Sequence, residues 1–272
     1  MLQHYVPKFY LQQFAGQDGR LWVWDKIADR IFQSTAKNIA CETNFYTLQH
    51  STWPNANVME EQFSSIESFA AECIEFLLLR VHDQQLGSKI HIETETKRNL
   101  SQYIALQFLR TADARDTMTS LLPEGLTNQE IKDTHINLLW DNRLVDTLTD
   151  RLANGSWIFA LNKSERAFIT SDNPVCFRTN DNKKWLKAGV LELGVYAVFP
   201  LSPAVVVYIF PDQPMYNNVK RNFGDSVSPA EFTAQHADYD NTGQVFMASR
   251  FLIGSTREFS HERHFLKTIR YV

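Results

Sequence analysis

The chain has 272 residues, 44% of them hydrophobic and 21% charged, with 31 acidic side chains against 27 Lys plus Arg. That apolar share excludes a disordered chain, and a chain of this length buries about three quarters of its extended surface, enough for a full core. The formal net charge of −4 excludes a global basic field of the kind that marks a nucleic-acid binder.

Residues 1–57 begin with a short helical or extended lead. A hairpin follows, its arms Leu21-Trp22-Val23-Trp24 and Arg30-Ile31-Phe32-Gln33 joined through Asp25 to Asp29. Residues 38–46 then run into a loop, 49–57, rich in Ser, Thr, Asn and Pro. From residue 58 the period changes to helical. Phe63, Ile66, Ala70, Ile74 and Leu77 predict one long helix over 58–82, which Gly87 ends. A second helix is predicted over 94–117, with a nearly all-apolar stretch at 103–109. A third is predicted over 128–152, before Asn154-Gly155. Residues 156–210 turn strand-like at 157–161, 167–170, 195–199 and 205–210. The tail returns to helix at 229–240 and 242–251, and residues 267–272 can close as an edge strand. Hairpin, helices, strands and helices in that order, without βαβ alternation, predict an α+β fold with a mainly antiparallel sheet.

The three cysteines, Cys41, Cys73 and Cys176, are odd in number and widely spaced, which fits neither a disulfide framework nor a zinc site. Cys73 in a helical pattern and Cys176 in a strand pattern read as small buried thiols. The N-terminal residues carry no basic leader, apolar run or small-residue cleavage site. The longest apolar stretches, such as 204–210, are far too short to cross a bilayer. A cytoplasmic protein without a membrane partner is expected.

Dinucleotide, phosphate-loop, zinc-protease, serine-hydrolase and kinase motifs are absent from the sequence. His261 and His264 have a ligand-like spacing, but Glu262 and Arg263 mark that segment as a solvated face. His50, His82, His91, His135 and His236 read as surface histidines. Lys183-Lys184-Trp185-Leu186-Lys187 is a small basic–aromatic patch that reads as an exposed loop.

The informative signal is polarity where apolar residues belong, because a buried polar group without partners costs about 2–7 kcal/mol. Taking about 100° per residue, Glu67 falls in the apolar face of the first long helix, and Glu60 lies two turns earlier on the same side. Such carboxylates can ligate a metal, act as an acid–base pair, or form a structural ion pair. Gln107 and Arg110 sit on a helix apolar almost all round, so both need partners. Arg110 offers either a salt bridge to Glu67 or Asp172, or a clamp for phosphate or carboxylate. Asp172 and Asn173 end a strand in a Ser-Asp-Asn-Pro turn, which presents a carboxylate and an amide where sites are found but is more commonly a plain turn. Pro7 holds Val6 extended, which fixes His4 in place if that segment docks.

These pieces occur in an order that resembles a bacterial family, domain of unknown function 4238. The matching segments are His4-Tyr5-Val6-Pro7-Lys8-Phe9-Tyr10-Leu11, Phe14-Ala15, a strand at 22–26, Ile39-Ala40-Cys41-Glu42-Thr43-Asn44-Phe45-Tyr46 and Ile66-Glu67. They continue through Gln107-Phe108-Leu109-Arg110-Thr111, Thr170-Ser171-Asp172-Asn173-Pro174-Val175, Pro200-Leu201-Ser202-Pro203 and, more weakly, Asn241 with Ala248-Ser249-Arg250. The resemblance implies one family domain over 1–272, and it raises His4, Glu67, Gln107, Arg110, Asp172 and Asn173 together as a candidate site. It supplies no activity.

Histidine, two carboxylates, an amide and an arginine are the components of phosphodiester or nucleotide hydrolysis. Glu67 and Asp172 would ligate Mg²⁺ or Mn²⁺, His4 would move a proton, and Arg110 would hold a phosphate oxygen. The expectation is a hydrolase or nuclease acting on nucleic acid or a nucleotide, in the manner of a bacterial toxin or phage-defence effector. The alternatives are a non-catalytic sensing module with a polar pocket, or a buried structural network. A protein partner or homo-oligomer is compatible with either.

Overall fold

The computed structural model describes residues 2–47 and 58–269. The loop expected at 49–57 and His50 lie outside the described residues, as does the side chain of Glu60. The elements are β1 (Leu2–His4), α1 (Lys8–Gln12), β2 (Leu21–Asp25), β3 (Arg30–Ser34), β4 (Cys41–Thr43), α2 (Val58–Asp83), α3 (Thr94–Leu109), α4 (Ala112–Thr119), α5 (Asn128–Leu139) and α6 (Asn142–Ala153). They continue as β5 (Ser156–Leu161), β6 (Thr170–Ser171), β7 (Cys176–Thr179), β8 (Trp185–Leu186), β9 (Val195–Ser202), β10 (Val205–Phe210), α7 (Asn217–Phe223), β11 (Ser226–Val227), α8 (Ala234–Met247), β12 (Phe251–Gly254) and α9 (Ser260–Ile269). The fold is mixed α+β as expected, with N-terminal strands, central helices, a mostly antiparallel sheet and C-terminal helices.

Two sheets carry the strands beyond the small β1–β4 pair. The larger has the order β11-β5-β10-β9-β7-β8, antiparallel except for the β11–β5 pair. Its inner strand β9 is buried at every position, so it reads as an unbroken apolar run rather than an alternation. The smaller sheet has the order β3-β2-β12-β6 and includes the expected hairpin. One contiguous core runs from Tyr5 through α2, α3 and the large sheet to Ile253. A smaller cluster around Trp24, Leu252 and Phe259 lies under the second sheet.

The sequence pattern joins helices that the chain separates. The span 94–117 is two helices broken at Arg110, whose φ of −90° and ψ of 1° leave the helical path. Thr111 starts afresh as an N-cap, its hydroxyl accepting from the Ala114 amide. The carbonyls freed at the break find new donors. Tyr46 Oη donates to Arg110 O at 2.8 Å, and His135 Nε2 donates to Leu109 O at 2.8 Å. His135 is therefore a buried helix-break residue, not a surface histidine. Burial chiefly lowers its pKa to about 4, and its neutral Nδ1 accepts from Arg115 Nε.

The span 128–152 likewise divides, because Asp141 caps α6 through the Arg143 amide. No Gly or Pro stands at either break, so the sequence carries no local stop signal there. In the tail, 229–251 contains one helix, α8, running through the expected boundary at Asn241. Phe251 begins strand β12, which pairs with β2 and β6. Residues 267–269 end α9 instead of forming an edge strand, and 270–272 lie outside the described residues. Among the described residues no helix is long and apolar enough to cross a membrane.

Candidate functional site

Four of the six expected site residues converge where β1, α2 and α3 meet. Arg110 is 1% exposed, and its donors are largely committed. Nε and Nη2 donate to Gln107 Oε1 at 2.9 and 2.6 Å, and Nη1 donates to Glu67 Oε1 at 2.7 Å. Its guanidinium lies 5.0 Å from the Phe63 ring centroid and 5.9 Å from that of Tyr103. Gln107 completes the chain by donating from Nε2 to the Tyr5 carbonyl at 3.0 Å. That bond ties the HYVP segment to α3, so the extended backbone imposed by Pro7 is docked and His4 is held.

Arg110 is thus an internal brace for Glu67. The clamp for a substrate phosphate expected from its fork of donors is not formed, because that fork points at Gln107 and Glu67. The ion pair expected as the alternative is the one present.

Glu67 stands at the edge of the apolar face of α2, not within it. Phe63, Ala70, Ile74 and Leu77 are buried, whereas the Glu67 side chain keeps 26% of its surface. It opens onto a cleft of about 400 Å³ lined by His4, Lys8, Phe9, Phe63, Ser64, Glu67, Ser68 and Ala71. Ser64, Glu67, Ser68 and Ala71 follow at helical spacing, a stripe of small and polar residues beside the apolar one. That stripe is the signal by which the cleft wall could have been found in the sequence. Lys8 was equally visible, directly after the His-Tyr-Val-Pro segment.

His4 Nε2 faces two carbonyls, Ala36 O at 3.2 Å and Lys37 O at 3.1 Å. Carbonyls only accept, so Nε2 carries the hydrogen and Nδ1 keeps the lone pair in the neutral ring. Burial, then the Lys8 charge, hold the imidazole below its usual pKa of 6.5, against the raising effects of the two carbonyls and of Glu67. A neutral histidine, a carboxylate and a lysine therefore share one partly open cleft.

Asp172 and Asn173 do not join them, and neither lines this cleft. The Asp172 oxygens accept from the amides of Ser249 at 2.9 Å, Arg250 at 2.8 Å and Phe251 at 3.0 Å, holding the turn that leads into β12. Burial pushes its carboxyl up to about 6 from an ordinary 3.8, although the three amides pull the other way. The Asn173 amide donates to Asp113 Oδ2 at 3.1 Å and to Met247 O at 3.4 Å.

A shared Glu67–Asp172 metal site is not assembled. Among the described residues, the group of three potential ligands whose atoms lie together is Asp238, His261 and Glu262. There Arg166 already supplies a cation, donating to Asp238 at 2.6 Å and to Glu262 at 2.5 Å. His261 and His264 are exposed, as expected of a solvated segment, but Glu262 between them is fully buried, which corrects that residue. The basic–aromatic patch is also partly built in. Trp185 Nε1 donates to Thr242 and Lys187 pairs with Asp113, while Lys183 and Lys184 are exposed.

The family described as "Protein of unknown function (DUF4238)" matches residues 2–258. No curated protein and no solved structure matches the chain.

Proposed function

Since the chain belongs to the DUF4238 family, whose description assigns no activity, we propose from the cleft itself that it is a hydrolase acting on a phosphate-containing substrate, nucleic acid or nucleotide. One observation carries this reading. A neutral His4 of fixed tautomer and a Glu67 carboxylate held by a buried arginine face the same open cleft. A structural network has no need of that opening.

The roles differ from those expected of the same residues in sequence. Lys8, exposed at the cleft, replaces Arg110 as the cation that meets phosphate oxygens. Water attacks phosphorus as the bond to the leaving oxygen breaks. His4 takes the proton of that water at Nδ1 and delivers it to the departing oxygen. Glu67 favours the protonated form of His4 and so stabilises the imidazolium formed in between. Arg110 and Gln107 touch no substrate; they position Glu67 and His4. The cleft offers a divalent cation the Glu67 carboxylate but not Asp172, so the proposal does not require Mg²⁺ or Mn²⁺.

The test is mass-spectrometric detection of products from RNA, DNA, tRNA, NAD and nucleoside triphosphates. Wild type and His4→Ala are each incubated with and without Mg²⁺ or Mn²⁺. Products from wild type alone support the proposal and identify the bond cleaved. Equal product from both proteins, or none from either while both remain folded, overturns it.

A further inference from the structure

A second cavity, of about 770 Å³, opens between β7, β9, β10, α7 and α8 and shares no lining residue with the His4 cleft. Its size suits a small organic ligand. Tyr196, Tyr208, Phe210, Tyr216, Phe232 and Tyr239 line it. Tyr196 and Phe210 stack on each other at 4.7 Å with 26° between planes, and Tyr208, Tyr216 and Phe232 lie tilted against them, so this wall is aromatic.

Two charged groups lie in the same lining. The Arg178 side chain is 6% exposed, and its guanidinium plane is covered by Tyr239 at 3.9 Å and Trp185 at 4.9 Å from the ring centroids. Its plane is therefore packed against rings, which leaves its edge to polar partners. Along that edge Nη2 donates to Asn182 O at 2.9 Å and Nη1 lies 3.7 Å from Asp240 Oδ1, whereas Nε is buried with no partner. Asp240, 7% exposed, accepts from Tyr208 Oη on Oδ2, while Oδ1 has only the long ion pair. Nε is thus closed off from the cavity, and the polar atom left for a ligand is the acceptor Asp240 Oδ1.

The charge balance selects among ligands. An organic anion would meet Asp240 as well as Arg178, and a quaternary ammonium would meet Arg178 inside its aromatic cage. A neutral planar ring with an N–H donor on its edge meets neither repulsion. It would pack against the aromatic wall while an N–H on its edge donates to Asp240 Oδ1. We propose that this cavity binds the base of a nucleoside or nucleotide, at a site separate from the His4 cleft.

Binding is read directly, by isothermal titration and saturation-transfer NMR on the full chain, so the result does not depend on any hydrolytic activity. The probes are adenosine, guanosine, cytidine and uridine, with choline and benzoate as the cationic and anionic comparators. At least one nucleoside should saturate the protein, and Asp240→Asn should weaken it by about tenfold or more. Met215 is 50% exposed in the cavity lining, so Met215→Trp should block binding without lowering the melting temperature, whatever becomes of Asp240→Asn. No saturation by any of the four nucleosides overturns the proposal. So does nucleoside binding that survives Met215→Trp, or binding of choline or benzoate in the nucleosides' place.

Discussion

Around Asp172 the polar groups are closed upon the backbone; around Glu67 they are left open to a cleft. Asp172 accepts from three consecutive amides at the entry to β12. The middle one belongs to Arg250, whose guanidinium pairs with the fully buried Asp25 at the end of β2. One carboxylate thereby fixes β6 and the start of β12 and, through Arg250, the hairpin. Glu67 instead takes its partner from a side chain, Arg110, which Gln107 orients in turn, and part of its surface stays accessible. Both regions break the rule that buried faces are apolar. A carboxylate saturated by distant backbone amides serves the fold, whereas one braced on a single side keeps its other side accessible from the cleft.

Removing the brace should have the largest effect on stability. Arg110→Met keeps the bulk but orphans Gln107 Oε1 and leaves Glu67 without its cation, an expected loss of about 3 kcal/mol or more. Urea denaturation measures it. A loss under about 1 kcal/mol would mean that the buried pair holds nothing in place, and the contrast between the two regions would collapse.

Asp172→Asn comes next, at about 2 kcal/mol, because one amide oxygen cannot serve three backbone donors. Its pH dependence sharpens the comparison. The folded carboxyl titrates near 6 against an ordinary 3.8, so the folded state holds the proton more tightly. Wild-type stability from this group is greatest at low pH and falls as pH rises from about 4 to about 6. Asp240, also pushed up to about 6 by burial, adds a slope of the same sign. His135, lowered to about 4 from 6.5, opposes it, since its contribution is lost as pH falls through that window. The difference between wild type and Asp172→Asn across pH 4 to 6 isolates the aspartate; parallel curves would mean that it does not titrate there.

The asymmetry also explains what was legible in the sequence. Glu67, Gln107 and Arg110 were visible because a helix converts spacing into a face, so a polar residue on an apolar stripe betrays itself. Their division of labour was not, because whether an arginine points at a carboxylate or at solvent depends on the break at residue 110. That break is created by long-range partners, Tyr46 and His135, and not by a local Gly or Pro. His4 and Asn173 were raised by the ordered family resemblance; neither spacing nor composition marks them. Arg178 and Asp240 went unseen. Arg178 lies on a short strand next to an ordinary turn, and Asp240 lies in a helix whose many buried polar residues leave no clean apolar stripe to violate.

A smaller change follows from Glu67→Gln. The amide oxygen can still accept from Arg110, so folding should weaken by only about 1–2 kcal/mol, the cost of a buried cation without its counter-charge. Product formation should fall far more than stability does. If rate and stability fall in proportion, Glu67 belongs with Asp172 as a structural carboxylate.

His4→Ala should perturb the fold least, by about 1 kcal/mol or less, because the ring is only half-buried and its two carbonyl partners are near enough to the surface for water to replace it. Its rate effect should be about a hundredfold or more, the usual worth of a positioned base. The pH profile of kcat/KM separates this from simple loss of packing. Burial first and Lys8 second lower the His4 pKa, so the lone pair on Nδ1 persists below pH 6.5 and the acid limb should fall below that value. Lys8→Ala removes one lowering influence and should move the limb up toward 6.5. Glu67→Gln removes a raising influence and should move it further down. Opposite displacements by two residues on either side of one imidazole cannot come from a structural role, which would leave the limb where it is.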